Sequence, residues 1–157
     1  MKKYYTQIIL LVSIIACFIG IIIFINCTKE QEEKEKLEIT YDYLQFINYN
    51  DYEAILKKSG DYLVVFVNTG CDYCELYKPL INSYAMKENS LNVYVLDFSI
   101  LEKSELAEVL ASQEYLATDT TWGFPLTMYF RDGKMIDKLK GLKVIEDIEE
   151  LVIKNKK

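Results

Sequence analysis

Apolar positions follow three different rhythms along the chain. From Ile8 to Ile25 they run almost unbroken, softened only by Ser13, Ala16, Cys17 and Gly20. At about 1.5 Å per residue, such a run nearly spans a hydrocarbon core of about 30 Å. Lys2 and Lys3 precede it and Tyr4 and Tyr5 sit at its edge, which predicts an anchor helix with the N-terminus inside and the remainder outside. Lipidation at Cys27 is the alternative, because the hydrophilic "TKEQEEKEKLE" follows at once; cleavage at Cys17 would leave an apolar stub on the mature chain. Residues Lys29 to Glu38 are charged and aperiodic, as a solvated linker is. The chain therefore divides into an anchor or lipoprotein signal at 1–28, a linker at 29–40 and a folded domain at 41–157, held at the outer face of a membrane.

Within the domain, short apolar runs alternate with helical periodicity. "LQFINY" (Leu44 to Tyr49) reads as a strand, and Asn50 as the cap of a helix with Tyr52, Ile55 and Leu56 on one face, stopped by Ser59 and Gly60. "YLVVFV" (Tyr62 to Val67) is apolar on both faces, as a central strand must be. Tyr73, Leu76, Tyr77, Leu80 and Tyr84 then recur at helical spacing. "LNVYVLDF" (Leu91 to Phe98) is a second buried strand, and "SILE" (Ser99 to Glu102) resembles a capping box opening a helix that carries Leu106, Val109 and Leu110. "LTMYF" and "MIDKL" flank an Asp132-Gly133 hairpin turn, and Val144, Ile148, Leu151 and Val152 close the chain with an amphipathic helix. The order β-α-β-α-β-α-β-β-α predicts an α/β domain in which helices cover a mixed sheet.

Charge and composition narrow the chemistry. The chain holds 18 Lys and Arg against 24 Asp and Glu, and every acidic residue lies beyond Cys27. So acidic a surface repels phosphate backbones, and no nucleic-acid partner is expected. Histidine is absent, which removes the usual general base and the commonest zinc ligand.

Attention falls on Cys71 and Cys74, set three apart where an apolar strand meets a helix. On a first helical turn, residues i and i+3 lie about 5–6 Å apart, within the span of a disulfide. Free amides and the helix dipole favour a thiolate at Cys71, the attacking species in exchange, and Cys74 is placed to resolve a mixed disulfide. A zinc clip would need four ligands where two thiols are offered, so no metal is expected. An inert staple would close a loop too short to constrain the unfolded chain much.

Cys71-Asp72-Tyr73-Cys74 after "LVVFV", Gly123-Phe124-Pro125-Leu126-Thr127 before a strand, "YFRDGKMIDKLKG" and a final amphipathic helix together resemble a thioredoxin-fold thiol–disulfide oxidoreductase. The resemblance runs from about Leu44 to Ile153. It is strongest to the membrane-tethered, extracytoplasmic thioredoxin-like proteins of bacteria, including bacteriocin transport accessory proteins. It implies a thioredoxin-like fold, with a central mixed sheet flanked by helices, and a redox-active Cys71–Cys74 disulfide in place of any other cofactor. The implied partner is a cysteine-containing exported protein or a redox protein. Pro79 matches the proline that kinks the active-site helix, and Pro125 the one whose preceding bond is cis and lies beside the cysteines. The residue before that proline, Phe124, would then offer its backbone to an extended client. Gly123 and Trp122, as groove wall or core, adjoin it, and Asp72 and Tyr73 supply the surface between the cysteines. The chain departs from thioredoxin in Gly70, in Asp72-Tyr73 and in Val65, which stands where a buried acid is found, and Asp72 and Glu75 bring negative charge to the thiols. The segment from Ser99 to Thr121 is longer than thioredoxin's own connection and reads as a surface helix, with partner selection near the site as the alternative. A second function class remains, a scaffold that binds an exported peptide without redox chemistry.

Overall fold

The computed structural model describes residues 41–156. The predicted anchor, the linker, Cys17 and Cys27 lie outside the described residues. Among the described residues, no helix is long and apolar enough to cross a membrane.

Among the described residues the apolar runs form five strands: β1 (Leu44–Ile47), β2 (Asp61–Val67), β3 (Val93–Asp97), β4 (Leu126–Arg131) and β5 (Lys134–Lys140). Five helices separate or follow them: α1 (Tyr49–Ile55), α2 (Asp72–Ala85), α3 (Lys103–Ala111), α4 (Glu114–Thr118) and α5 (Ile145–Asn155). The strands make one sheet in the order β1-β3-β2-β4-β5. β1 and β2 run parallel to β3, while β4 is antiparallel to β2 and β5 to β4.

β2 is central, and Leu63 through Phe66 have no exposed surface because both of its faces are covered. Leu63, Val65 and Val67 point to one side, where Cys74, Tyr77 and Ile81 of α2 meet Ile148, Leu151 and Val152 of α5. Val64 and Phe66 point to the other, against Tyr52 and Ile55 of α1, Val109 of α3 and Leu116 of α4. Alternation along a single strand thus assigns each helix to its layer.

Three local details differ from the sequence reading. The first helix begins two residues earlier than expected, because Asn48 rather than Asn50 caps it: its side chain accepts from Asp51 N at 3.0 Å, and Asp51 reaches back to Asn48 N. "SILE" opens no α-helix. Phe98–Ile100 is a single 3₁₀ turn, since Asp97 captures the Ser99 amide, and α3 starts only after Glu102. The long connection holds two helices, α3 and α4, whose Val109 and Leu116 cap the second core layer. The hairpin is as expected, with Asp132 at φ 50° and Gly133 at φ 77°. A Cβ on Gly133 would lie 1.9 Å from the Leu56 carbonyl oxygen, so glycine is needed for the close approach as well as for the turn.

Candidate functional site

The site forms at the carboxyl end of β2, where the chain leaves the sheet through Asn68, Thr69 and Gly70 and enters α2. Gly70 takes φ +83°, and the Cys71 amide donates to Asn68 O at 3.1 Å, turning the chain into the helix. Cys71 is the N-cap of α2: the Cys74 amide donates to its sulfur at 3.3 Å and to its carbonyl at 2.9 Å. Cys71 is half-buried, whereas Cys74 is fully buried. Both are free thiols in hydrogen-bonding contact. Burial pushes the Cys74 thiol up to about 12, and the bond with Cys71 adds to it; the Asn68 main chain and the Lys78 ammonium pull the other way. Lys78 is held by Glu75 at 2.7 Å. α2 continues through Pro79, whose ring supplies no amide to the Glu75 carbonyl one turn back.

The second wall is the segment before β4. The Phe124–Pro125 bond is cis, and Cys71 Sγ lies 3.9 Å from Phe124 O as a weak donor. Pro125 is buried, and its carbonyl accepts from Gly141 N at 2.8 Å, which joins the end of β5 to the same corner. Trp122 and Phe124 are half-buried, edge-on to each other at 5.6 Å between centroids. Phe98 packs against them at 5.9 and 5.1 Å, so Trp122 belongs to a small aromatic cluster at the rim. Ahead of Trp122 in the chain, Asp119 accepts from Thr121 N, Thr121 Oγ1 and Lys140 Nζ, tying this segment to the end of β5. The Thr121 hydroxyl and the Lys140 ammonium hold Asp119 well below the usual carboxylate range. Gly123 is exposed, as are Asp72 and Tyr73, with Tyr73 62% accessible and Leu76 beside it.

The structure thus gathers Cys71, Cys74, Phe124 and Pro125 at one corner, with Trp122 packed behind Phe124. Asp72, Tyr73 and Gly123 lie on the surface around it. Among the described residues, no group of three or more potential metal-ligating side chains is present.

One contributor escaped the sequence reading. Asp97, the last residue of β3, accepts from Thr69 N at 3.1 Å and Thr69 Oγ1 at 2.6 Å, and from Ser99 N and Oγ at 2.9 and 2.8 Å. Burial alone raises its pKa, but the hydrogen bonds from Thr69 and Ser99 outweigh it and hold the carboxyl below its ordinary value. Asp97 therefore clamps the turn two residues ahead of Cys71, while Phe98 beside it supports the aromatic wall. Its one visible signal was an acid at the carboxyl end of an otherwise apolar parallel strand, where α/β folds place their sites.

No family model matches the sequence. Solved structures resemble the domain in fold. A thioredoxin of Malassezia sympodialis superposes with a TM-score of 0.55 at 17% identity, covering 71% of this chain and 89% of that one. The thioredoxin NaTrxh of Nicotiana alata gives 0.55 at 18%, covering 73% and 94%. Mitochondrial thioredoxin 3 of Saccharomyces cerevisiae, in its oxidised form, gives 0.54 at 16%, covering 73% and 97%. The described domain has the thioredoxin-like fold.

Proposed function

We propose that the chain is a membrane-tethered, extracytoplasmic thiol–disulfide oxidoreductase. The observation that carries this reading is the unequal placement of the two thiols: Cys71 is half-buried at the helix start beside Phe124 O, with Cys74 fully buried behind it. Cys71 as thiolate attacks one sulfur of a client disulfide, and Cys74 displaces the client from the resulting mixed disulfide. The main chain at exposed Gly123 and half-buried Phe124, next to Pro125, receives the client as an extended segment, with Asp72, Tyr73 and Trp122 around it. The client is an exported protein carrying cysteines, or another redox protein. The acidic balance of the chain argues against nucleic acid.

Replacing Cys74 with Ala is expected to accumulate mixed disulfides through Cys71, visible as reducible adducts on non-reducing gels of exporting cells. Their absence would count against exchange. A second reading, a binding scaffold for an exported peptide, draws on the high pKa of Cys74, which slows resolution. Full biological activity in a Cys71→Ser, Cys74→Ser double variant would select it.

A further inference from the structure

Cys74 has a difficulty that Cys71 does not share. Its sulfur must lose a proton before it attacks, yet the side chain has no exposed surface. The groups acting most strongly on it are Cys71, the Asn68 main chain and Lys78; Asp147 of α5, packed against the same layer, is the carboxylate that acts on neighbouring Tyr77.

A buried hydroxyl pair occupies the same layer. Tyr77 follows Cys74 by three residues on α2, is equally buried and belongs to the same core cluster. Helical side chains lean toward the N-terminus over the preceding turn, which here is the turn that carries Cys74. Tyr77 Oη lies 2.6 Å from Thr127 Oγ1. Thr127 is 1% exposed and stands directly opposite Val65 in the β2–β4 ladder, so both point to the sheet face that Cys74 covers. Thr127 is also two residues beyond Pro125, so this bond ties the cysteine helix to the proline strand. Packing alone does not call for it, because Phe and Val would fill the same space with no polar group to bury.

We propose that the Tyr77–Thr127 hydroxyl pair positions and polarises the resolving thiol, offering a hydroxyl dipole to the Cys74 sulfur as its charge develops. The inference rests on the exchange reading above. In the step concerned, Cys71 is joined to a client sulfur. Cys74 S–H gives its proton to hydroxide or buffer base, its sulfur bonds to Cys71 Sγ, and the Cys71–client bond breaks with its electron pair leaving on the client sulfur. The client disulfide is thereby reduced to thiols, and Cys71 and Cys74 are oxidised to a disulfide. Tyr77 and Thr127 touch neither reacting partner directly; they act as positioning residues through the field at Cys74.

The test uses one equivalent of a nitrobenzoate disulfide whose released thiolate is coloured. Mixed by stopped flow with the reduced full chain, it reports two phases: attack by Cys71, then release by Cys74. Tyr77→Phe and Thr127→Val should each leave the first phase within about twofold. Each should slow the second roughly tenfold at pH 7 and move its pH profile upward by about one unit. The double variant, which leaves no hydroxyl unpaired, should slow the second phase no more than either single change, as a pair acting as one unit requires. Thermal unfolding of the same variants reports packing separately. A second phase with an unchanged pH profile in all three variants overturns the proposal, as does an equal change in both phases. If the parent shows no first phase, the exchange reading itself fails; a normal first phase with an unaltered second phase removes this inference alone.

Discussion

Asp97 offers a quantitative test of how the site is held. Its carboxylate accepts four hydrogen bonds from two residues, and two of the donors are main-chain amides with no side chain to turn elsewhere. In Asp97→Ala all four donors lose their acceptor at once. A hydrogen bond to a charged group contributes about 1.5–3 kcal/mol. Water replaces part of that at a half-buried residue, so the whole clamp is expected to contribute roughly 2 kcal/mol rather than the sum of its parts. For a domain of this size that lowers the melting temperature by roughly 8 °C.

The pH dependence makes the argument stricter. The folded-state pKa of Asp97 is lowered, so its contribution is fully present above the unfolded value of about 3.9 and is lost as pH falls through the folded value. The stability gap between parent and Asp97→Asn should be constant from pH 5 to 7 and shrink steadily below about pH 4. Circular dichroism melts across that range measure it, and the Cys71 phase of the coloured-disulfide assay should slow as the Thr69–Gly70 turn loosens. A gap that persists undiminished at pH 3, or a Cys71 rate untouched while stability falls, would refute the clamp.

Gly133→Ala is expected to cost about 3 kcal/mol or more, from a left-handed backbone and a Cβ placed against the Leu56 carbonyl; urea unfolding measures it, with Gly123→Ala as a control in open space. Trp122 is the only tryptophan, and it packs on Phe124, whose carbonyl faces Cys71. Its fluorescence should change when the Cys71–Cys74 pair is oxidised, and an identical emission spectrum in both redox states would contradict the packing described.

The legible parts of this protein were those carried by periodicity and spacing. β2 announced itself as a two-face apolar run, and the cysteine pair at its carboxyl end followed from sequence order alone. Local capping was misread at Asn48 and Ser99 because several side chains in each stretch could satisfy the same amides, and only the tertiary arrangement selects one. Asn48 is preferred over Asn50 because Asp51 returns its bond; Ser99 is diverted because Asp97 is already anchored on Thr69. Asp97 and the Tyr77–Thr127 bond join residues 28 and 50 positions apart. No local pattern encodes such contacts, since they depend on which strands become neighbours.

The difference between the two thiols follows from the spacing of the motif. α2 buries a stripe that runs Cys74, Tyr77, Ile81 and Tyr84, at intervals of three, four and three, so Cys74 is the first member of the core face. Cys71, three residues earlier, falls on the same side of the axis but at the cap, before helical dihedrals begin, where its sulfur accepts the Cys74 amide and the residue stays half-buried. One more residue between them would rotate Cys74 by about 100° around the helix, out of the core and away from its partner. With one residue fewer, the second sulfur would likewise leave the stripe. The three-residue interval is therefore the spacing that keeps one cysteine half-buried, buries the other and leaves the two in contact, the asymmetry that the proposed order of attack and resolution requires.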